Sequence, residues 1–373
     1  MLNRRQLLQS MATLPLLASC NLAVQGGSRN YTPSGLPLRR VDVSDDRVIR
    51  TIAGLRPYRS KGFNVSAERM NDKVVIHNYG HGGGGITLSW GTSHLAMELA
   101  TQTQHRRCAV LGAGAAGLSA ARLMQNAGWD VTIYSKDLSP NTTSNVAGGQ
   151  WSPTSVYSED SVSPAFHDQF ESAMRHAYRY YQNLVGPKYG VRWISNYMVL
   201  NQPEADDSLS ATYQDMYPQR MRLSPSEHPF DAEHVLHIDT MLIEPAVYLP
   251  AMMNDFQIAG GDIVIKEFRD RGEVLQLDEP VIINCTGLGS RQLFNDNDLI
   301  PIKGQLTFLL PQEEVDYIII GNGGLYMFPR SDGILLGGTY ERNQWDPTPD
   351  PEATRRIIDG HRAFFNAMED PWA

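Results

Sequence analysis

The stretch from Cys108 to Asp137, "CAVLGAGAAGLSAARLMQNAGWDVTIYSKD", has the spacing of a phosphate-binding turn. An apolar strand runs into Gly112, Ala113, Gly114, Ala115, Ala116 and Gly117, and a helix with small residues on one face follows. The first glycine permits the tight turn, the second lets a pyrophosphate approach the backbone, and the third lets helix and strand pack closely. The helix start then offers unpaired N–H groups and its positive dipole end to the phosphates. The next strand should end in an acid for ribose hydroxyls. Lys136 and Asp137 compete for that place, and Asp137 is the better chemical candidate. In this strand–loop–helix–strand setting the pattern predicts a dinucleotide site.

Two further glycine turns point the same way. "VIINCTGLGS", Val281 to Ser290, is an apolar strand ending in a turn with Gly287. No second GxGxxG after a strand is present to bind a separate nicotinamide dinucleotide. "VVIHNYGHGGGGITLSWGTSHLAMELA", Val74 to Ala100, reads as a strand, a glycine loop and a helix expected from Ser89 to about Ala100. His77 and His81 are four apart and could share a zinc ion on a helix, but the glycines from Gly80 on argue against a helix, and no third ligand is evident. No metal is expected. Upstream, "AGLRPYR" carries Arg56, whose planar guanidinium can grip a carboxylate through two parallel hydrogen bonds.

These segments resemble the D-amino-acid oxidase group of FAD-dependent oxidoreductases. "SPNTTSNVAGGQWSP", "HIDTMLIEP", "IPIKGQLTFL" and "LYMFPRSDGILLGGTYERNQWD" carry the resemblance over nearly all of the chain beyond its N-terminus. It implies an α/β fold: a Rossmann-like FAD-binding domain interleaved with a mixed-sheet substrate domain. It implies noncovalent FAD, and oxidation of D-amino acids to 2-oxo acids with release of ammonia, the electrons passing to O2 to give H2O2. Arg56 matches the family's carboxylate-binding arginine. Tyr326 matches a position near the substrate pocket. Where relatives place a tyrosine over the substrate carboxylate, this chain has His234 or Glu233, which puts side-chain preference in question. Thr142, Thr143, Ser144, Gly148 and Gly149 match the segment that follows the ribose strand. Gly82, Gly83, Gly84, Gly85, Ile86 and Thr87 would pass their backbone along the flavin, with Gly83 also facing substrate. Other outcomes of the same resemblance are a dehydrogenase that reduces a quinone or another carrier, and a flavin-binding lipoprotein that has lost its chemistry.

One departure concerns order. In the family, "GLRPxR" and "HNYGHGG" come near the C-terminal end; here they precede the first nucleotide-binding strand. The resemblance therefore implies a circular permutation. Helix 89–100 should pack beside the strand from Cys108, and the strand ending at Gly54 should take the place that follows the helix from Pro351 to Phe365.

The remaining elements must position these residues. The chain has 373 residues, 42% of them hydrophobic, enough for one large domain or two interleaved ones. Its formal net charge of −9 speaks against a nucleic-acid partner. Residues 1–20, with Arg4, Arg5, an apolar run and "LASC", resemble a twin-arginine export signal ending in a lipobox. Lipid on Cys20 would be the only link to a membrane, with a periplasmic or membrane-anchored location. Residues 21–40 read as a linker. The body, 41–373, divides into FAD-binding parts (about 74–155 and 280–305) and substrate parts (about 41–73, 156–279 and 306–373). Cys108 and Cys285 read as small core residues. The aromatic stripe in "FHDQFESAMRHAYRYYQNLV" reads as core, and the polar run after Glu204 as a pocket lid or as surface decoration.

Overall fold

The computed structural model describes residues 38–369. The expected export signal, Cys20 and most of the expected linker lie outside the described residues. Two sheets organise the described chain. The smaller follows the order β2 (Asn64–Met70), β3 (Lys73–Tyr79), β10 (Val281–Asn284), β4 (Arg107–Leu111), β5 (Asp130–Ser135), β9 (Asp262–Ile265). From β3 to β9 all pairings are parallel, and Val281 of β10 faces both Val74 and Cys108. Strands such as "CAVL" and "VIIN" are continuous apolar runs because they are covered on both faces. Alternate residues divide accordingly: Cys108 and Val110 join one core, Ala109 and Leu111 the other. Cys285 packs against the first of these cores.

Four long helices meet that first core: α1 (Gly85–Thr101), α2 (Ala115–Asn126), α3 (Pro164–Gln182) and α4 (Pro245–Ile258). Ser163 caps α3 by accepting from the Phe166 N–H, and Pro164 opens its first turn. Its buried face is Phe166, Phe170, Ala173, Met174, Ala177 and Tyr181, so the aromatic stripe is core. Gly91 lets α1 lie against α3, since a Cβ there would stand 1.8 Å from the Ala173 carbonyl oxygen.

The larger sheet runs β1 (Val48–Arg59), β11 (Leu299–Leu309), β14 (Gly333–Gly337), β13 (Tyr326–Arg330), β12 (Tyr317–Ile320), β6 (Val191–Leu200), β8 (His234–Ile243), β7 (Met221–Leu223), with β15 (Glu341–Arg342) also on β11. Its pairings are antiparallel except β12 with β6. One face packs Tyr197, Tyr317, Met327 and Leu336 under α5 (Pro351–Ala367), through Ile357 and Phe365. The other face carries Ile194, Leu306, Phe308, Ile318, Phe328 and Leu335 and receives Val146.

The strands divide between the sheets differently from the sequence reading. β2, expected with the substrate part, belongs to the smaller sheet, joined to β3 by a tight hairpin at Asn71 and Asp72, with Asn71 at φ 56°. Asn tolerates that left-handed conformation, which suits a two-residue hairpin turn. β9 also joins the smaller sheet, and β11 is a strand of the larger sheet over its whole length. Strand pairing is a tertiary choice that segment order does not encode. Helix α1 begins at Gly85, not Ser89. Glycine is a poor helix former, but this first turn is held by packing and by the Tyr181 hydroxyl, which donates to the Ile86 carbonyl at 2.8 Å.

Candidate active site

Three glycine turns meet at one edge of the smaller sheet, because β3, β10 and β4 are parallel and in register there. Ligands of such sheets bind outside the carboxyl ends of the strands. After β4, Gly112 has φ 101°, and a Cβ would stand 2.7 Å from the Cys285 carbonyl oxygen. Gly117 packs so closely that a Cβ would meet the Gly112 carbonyl oxygen at 1.9 Å. Gly114, the N-cap of α2, faces open space apart from Ser144 Oγ at 3.0 Å. No side chain of its own caps the helix. Two glycines thus serve the protein's own backbone, and the middle one leaves room for a guest.

The loop after β5 closes over this cradle. Ser144 Oγ accepts from the Ala115 N–H at 3.0 Å, Ala116 lies in the same first turn, and Ser135 Oγ accepts from the Ala113 N–H at 3.2 Å. Thr142 forms a capping box with Asn145 over the helical turn Thr143–Val146. The Asp137 side chain is about half exposed, 3.9 Å from Lys136 Nζ. Gly149, at φ 98°, lies against the Ile243 carbonyl, and Gly148 lies against Phe328.

The α1 turn completes the edge. Gly82 has φ 55°, Gly83 donates its N–H to the Ser155 carbonyl at 3.0 Å, and Gly84 caps α1 without a side chain. Thr87 Oγ1 donates to the Ser152 carbonyl and accepts from the Ser152 N–H, both at 3.0 Å. A buried relay ties the helices together: Asn78 donates to Ser93 Oγ, which donates to the Ala116 carbonyl, each at 3.0 Å. His81 is buried against Thr92 Oγ1 at 2.9 Å, and burial lowers its pKa to about 4, so it stands neutral. Among the described residues no group of three or more His, Cys, Asp or Glu is placed to hold a metal.

The larger sheet brings Arg56 to the same place. On β1, Tyr58 bridges His81, and Pro57 lies 3.9 Å from the position of a Cβ on Gly287. Arg56 lies along the sheet face. Its guanidinium occupies the space above Gly304 of β11, where a Cβ would stand 2.3 Å from Nη1. Nη2 donates to the Tyr326 hydroxyl at 3.3 Å, and Nη1 is buried without a partner. Tyr326 in turn lies over Gly337, where a Cβ would stand 2.1 Å from its ring. Two glycines on neighbouring strands therefore make room for an arginine and a tyrosine that converge.

The FAD dependent oxidoreductase (DAO) family profile matches residues 107–373. The chain belongs to that family. A D-amino acid oxidase of Dugesia ryukyuensis is 30% identical over 70% of this chain and 78% of its own length. Human D-aspartate oxidase is 28% identical over 68% and 74%. In fold, a solved glycine oxidase of Bacillus cereus superposes with a TM-score of 0.52 at 17% identity, covering 70% of this chain and 77% of its own. The FAD-dependent oxidoreductase described here thus has the cofactor its glycine turns anticipate, and the free space over Gly114 between α2 and Ser144 fits a pyrophosphate.

A cavity of about 770 Å³ opens on the same sheet face as Arg56. Its floor includes Ile320, the cross-strand partner of Tyr326, with Met198 and Asn196 of β6 beyond. Pro203 to Ser210 form one wall, so the polar run after Glu204 contributes to a pocket. His234 starts β8 opposite Leu200, which lines the cavity, while His234 itself does not. Glu233 is exposed on the loop before it. Gly304, Gly337, Asn196 and the Gln150–Ser152 stretch were missed by sequence reasoning. Glycines within strands signal a close approach, and that signal was present at Gly304 and Gly337.

Proposed function

We propose that the protein oxidises D-α-amino acids to 2-oxo acids and ammonia, passing the electrons to O2 to give H2O2. The observation that carries this reading is Arg56: a guanidinium buried on a sheet face with one nitrogen unpartnered, beside a tyrosine hydroxyl and next to the glycine turns of the cofactor. The Tyr326 hydroxyl accepts from Arg56 and keeps its own proton free to donate. Arg56 Nη1 and the Tyr326 O–H together offer two donors to one carboxylate. Bound FAD supplies the two-electron acceptor. The chain's task is to hold the carboxylate, turn the Cα–H toward that acceptor and keep water away until the C=N product forms. That product then takes up water to release ammonia. With the carboxylate on Arg56 and the side chain directed into the cavity past Ile320, one enantiomer alone presents its hydrogen, and the relatives' specificity supports D. Gly114, Ala115, Ala116, Ser144 and the first turns of α1 and α2 would hold the cofactor. The two helix starts favour negative charge on it.

The test is anaerobic bleaching of the flavin by a panel of D- and L-amino acids, followed by admission of air and a peroxide assay. Bleaching by D-amino acids with stoichiometric peroxide supports the proposal. Bleaching by L-amino acids overturns the stereochemistry, and reoxidation only by a quinone overturns the acceptor.

We also propose that the chain is a circular permutation of its family and that Cys20 carries lipid outside the cytoplasmic membrane. The family profile starts at residue 107, yet β1 and β3 are hydrogen-bonded neighbours of β11 and β10, and residues 102–106 suffice to join α1 to β4. A chain rearranged to place residues 41–101 after residue 369 should fold and bind FAD; failure to do so counts against permutation. Cys20→Ala should abolish lipidation, and a wild type that retains Met1 refutes the anchor.

A further inference from the structure

Asn196 lies on β6, 1% exposed, and neither its Oδ1 nor its Nδ2 has a hydrogen-bond partner. Because both atoms are orphaned, a flipped amide would leave the same result. A buried, unpaired carboxamide is costly and rare. Its cross-strand neighbours are Ile318 and Ile238, which cannot satisfy it. It lines the 770 Å³ cavity, on the sheet face that bears Arg56 and Tyr326. A group with both a donor and an acceptor must come from the cavity.

The ionisable side chain on the cavity wall is Glu204, and it is already satisfied. Ser208 and Ser210 donate to its Oε1, and Arg220 pairs with its Oε2. No lysine or arginine lines the cavity. A carboxylate side chain would therefore meet Glu204 with no free cation to offset it, and an ammonium would find Glu204 neutralised. A neutral carboxamide suits Asn196 best, since two amides exchange N–H and C=O reciprocally.

Distance sets the length. The Tyr326 hydroxyl sits above Gly337 of β14, and β6 is three strands further along the sheet. That is roughly 14 Å at the usual strand spacing. Subtracting about 3 Å for the hydrogen bond at each end and about 2–3 Å for the reach of the Asn196 side chain leaves roughly 6 Å. That is about the span from carboxylate to amide in glutamine.

We propose that Asn196 is a specificity-determining residue that selects D-amino acids ending in a primary carboxamide, D-glutamine foremost. This rests on the D-amino-acid reading above. The experiment compares D-glutamine with D-methionine, similar in length but apolar, and with D-glutamate and D-lysine. The holoenzyme and its Asn196→Leu variant are tested by kcat/KM and by ligand-induced thermal shift. The wild type should favour D-glutamine over D-methionine by at least tenfold. Asn196→Leu should cost D-glutamine about 10- to 100-fold, as expected when a built hydrogen-bond partner is lost. It should leave D-methionine and D-alanine within about threefold. The thermal shift given by D-glutamine should vanish in the variant. A wild type that prefers D-methionine, D-glutamate or D-lysine, or a variant with an unchanged glutamine-to-methionine ratio, overturns the proposal. If D-glutamine shifts the wild type but not the variant, and no D-amino acid bleaches the flavin, the Asn196 site stands and the reaction assignment fails. If D-glutamine gives no shift in the wild type, the Asn196 site fails.

Discussion

Gly304→Ala should disable the enzyme while leaving it folded. The added methyl would stand 2.3, 2.5 and 2.6 Å from Nη1, Nη2 and Cζ of Arg56. Non-bonded carbon contacts settle near about 3.5 Å, so the guanidinium must withdraw by roughly 1 Å. The atoms in the way are the far end of a flexible side chain, so the move costs little stability. Gly304 is not in the left-handed region, and alanine fits its backbone. Losing glycine's freedom in the unfolded chain stabilises by about 0.4–1 kcal/mol. A 1 Å misplacement of a substrate-positioning group costs on the order of 10²-fold in rate, or about 2.7 kcal/mol. The assay is kcat/KM from anaerobic flavin reduction, read beside FAD content and melting temperature. Arg56→Ala supplies the reference, expected to lose about 3–5 kcal/mol of transition-state stabilisation by leaving a partly dry carboxylate alone. In the Arg56→Ala background, Gly304→Ala should add almost nothing, since both act through one guanidinium. Gly304→Ala with kcat/KM within about threefold of wild type, or with activity lost only in step with FAD or fold, refutes the reasoning.

The cofactor cradle and the buried histidines give further tests. Gly114→Ala should fold normally, since nothing but Ser144 Oγ lies near the new methyl, yet weaken FAD binding on the order of tenfold or more by occupying the phosphate's space; unchanged flavin titration argues against that cradle. Gly117→Ala, aimed at the Gly112 carbonyl oxygen, should instead lower the melting temperature of the apoprotein. His81 and His361 are both buried, with pKa values lowered to about 4 by desolvation. The unfolded chain takes these protons near 6.5 while the native state resists until about 4. Stability is therefore full above about pH 6.5 and falls as pH drops toward 4, by up to about 3 kcal/mol per histidine. Denaturant unfolding at pH 7 and pH 5 checks this, and His361→Gln, whose amide can still donate to the Gly337 carbonyl, should flatten the fall.

What the sequence shows and hides follows from the range of each interaction. The phosphate turn was legible because its work is local: Gly112, Gly114 and Gly117 act within one strand, turn and helix start. The aromatic stripe of α3 was legible because helical spacing reports a buried face directly. β2 and β9 were assigned to the wrong part because their partners, β3 and β5, are chosen by tertiary pairing. Gly304 and Gly337 illustrate the limit most clearly. Each lies in an apolar strand where a missing side chain looks like weakness, and each gains its meaning from a residue far away in the chain, Arg56 for one and Tyr326 for the other.

Asn196 hides for the same reason in reverse. In "VRWISNYMVLN" it is one polar residue in a strand that alternates, and a solvent-facing position is the natural reading. Register alone makes it otherwise. Pairing with Ile318 on one side and Ile238 on the other buries it on the face that Arg56 shares. The carboxylate grip lies near one end of that face and the unpaired amide nearer the other. A sheet is suited to such a division, because side chains on successive strands stand about 4.8 Å apart on a common surface. Reaction type can then be fixed by the β1 to β13 end, and substrate choice varied at β6, without either disturbing the strand that carries the other.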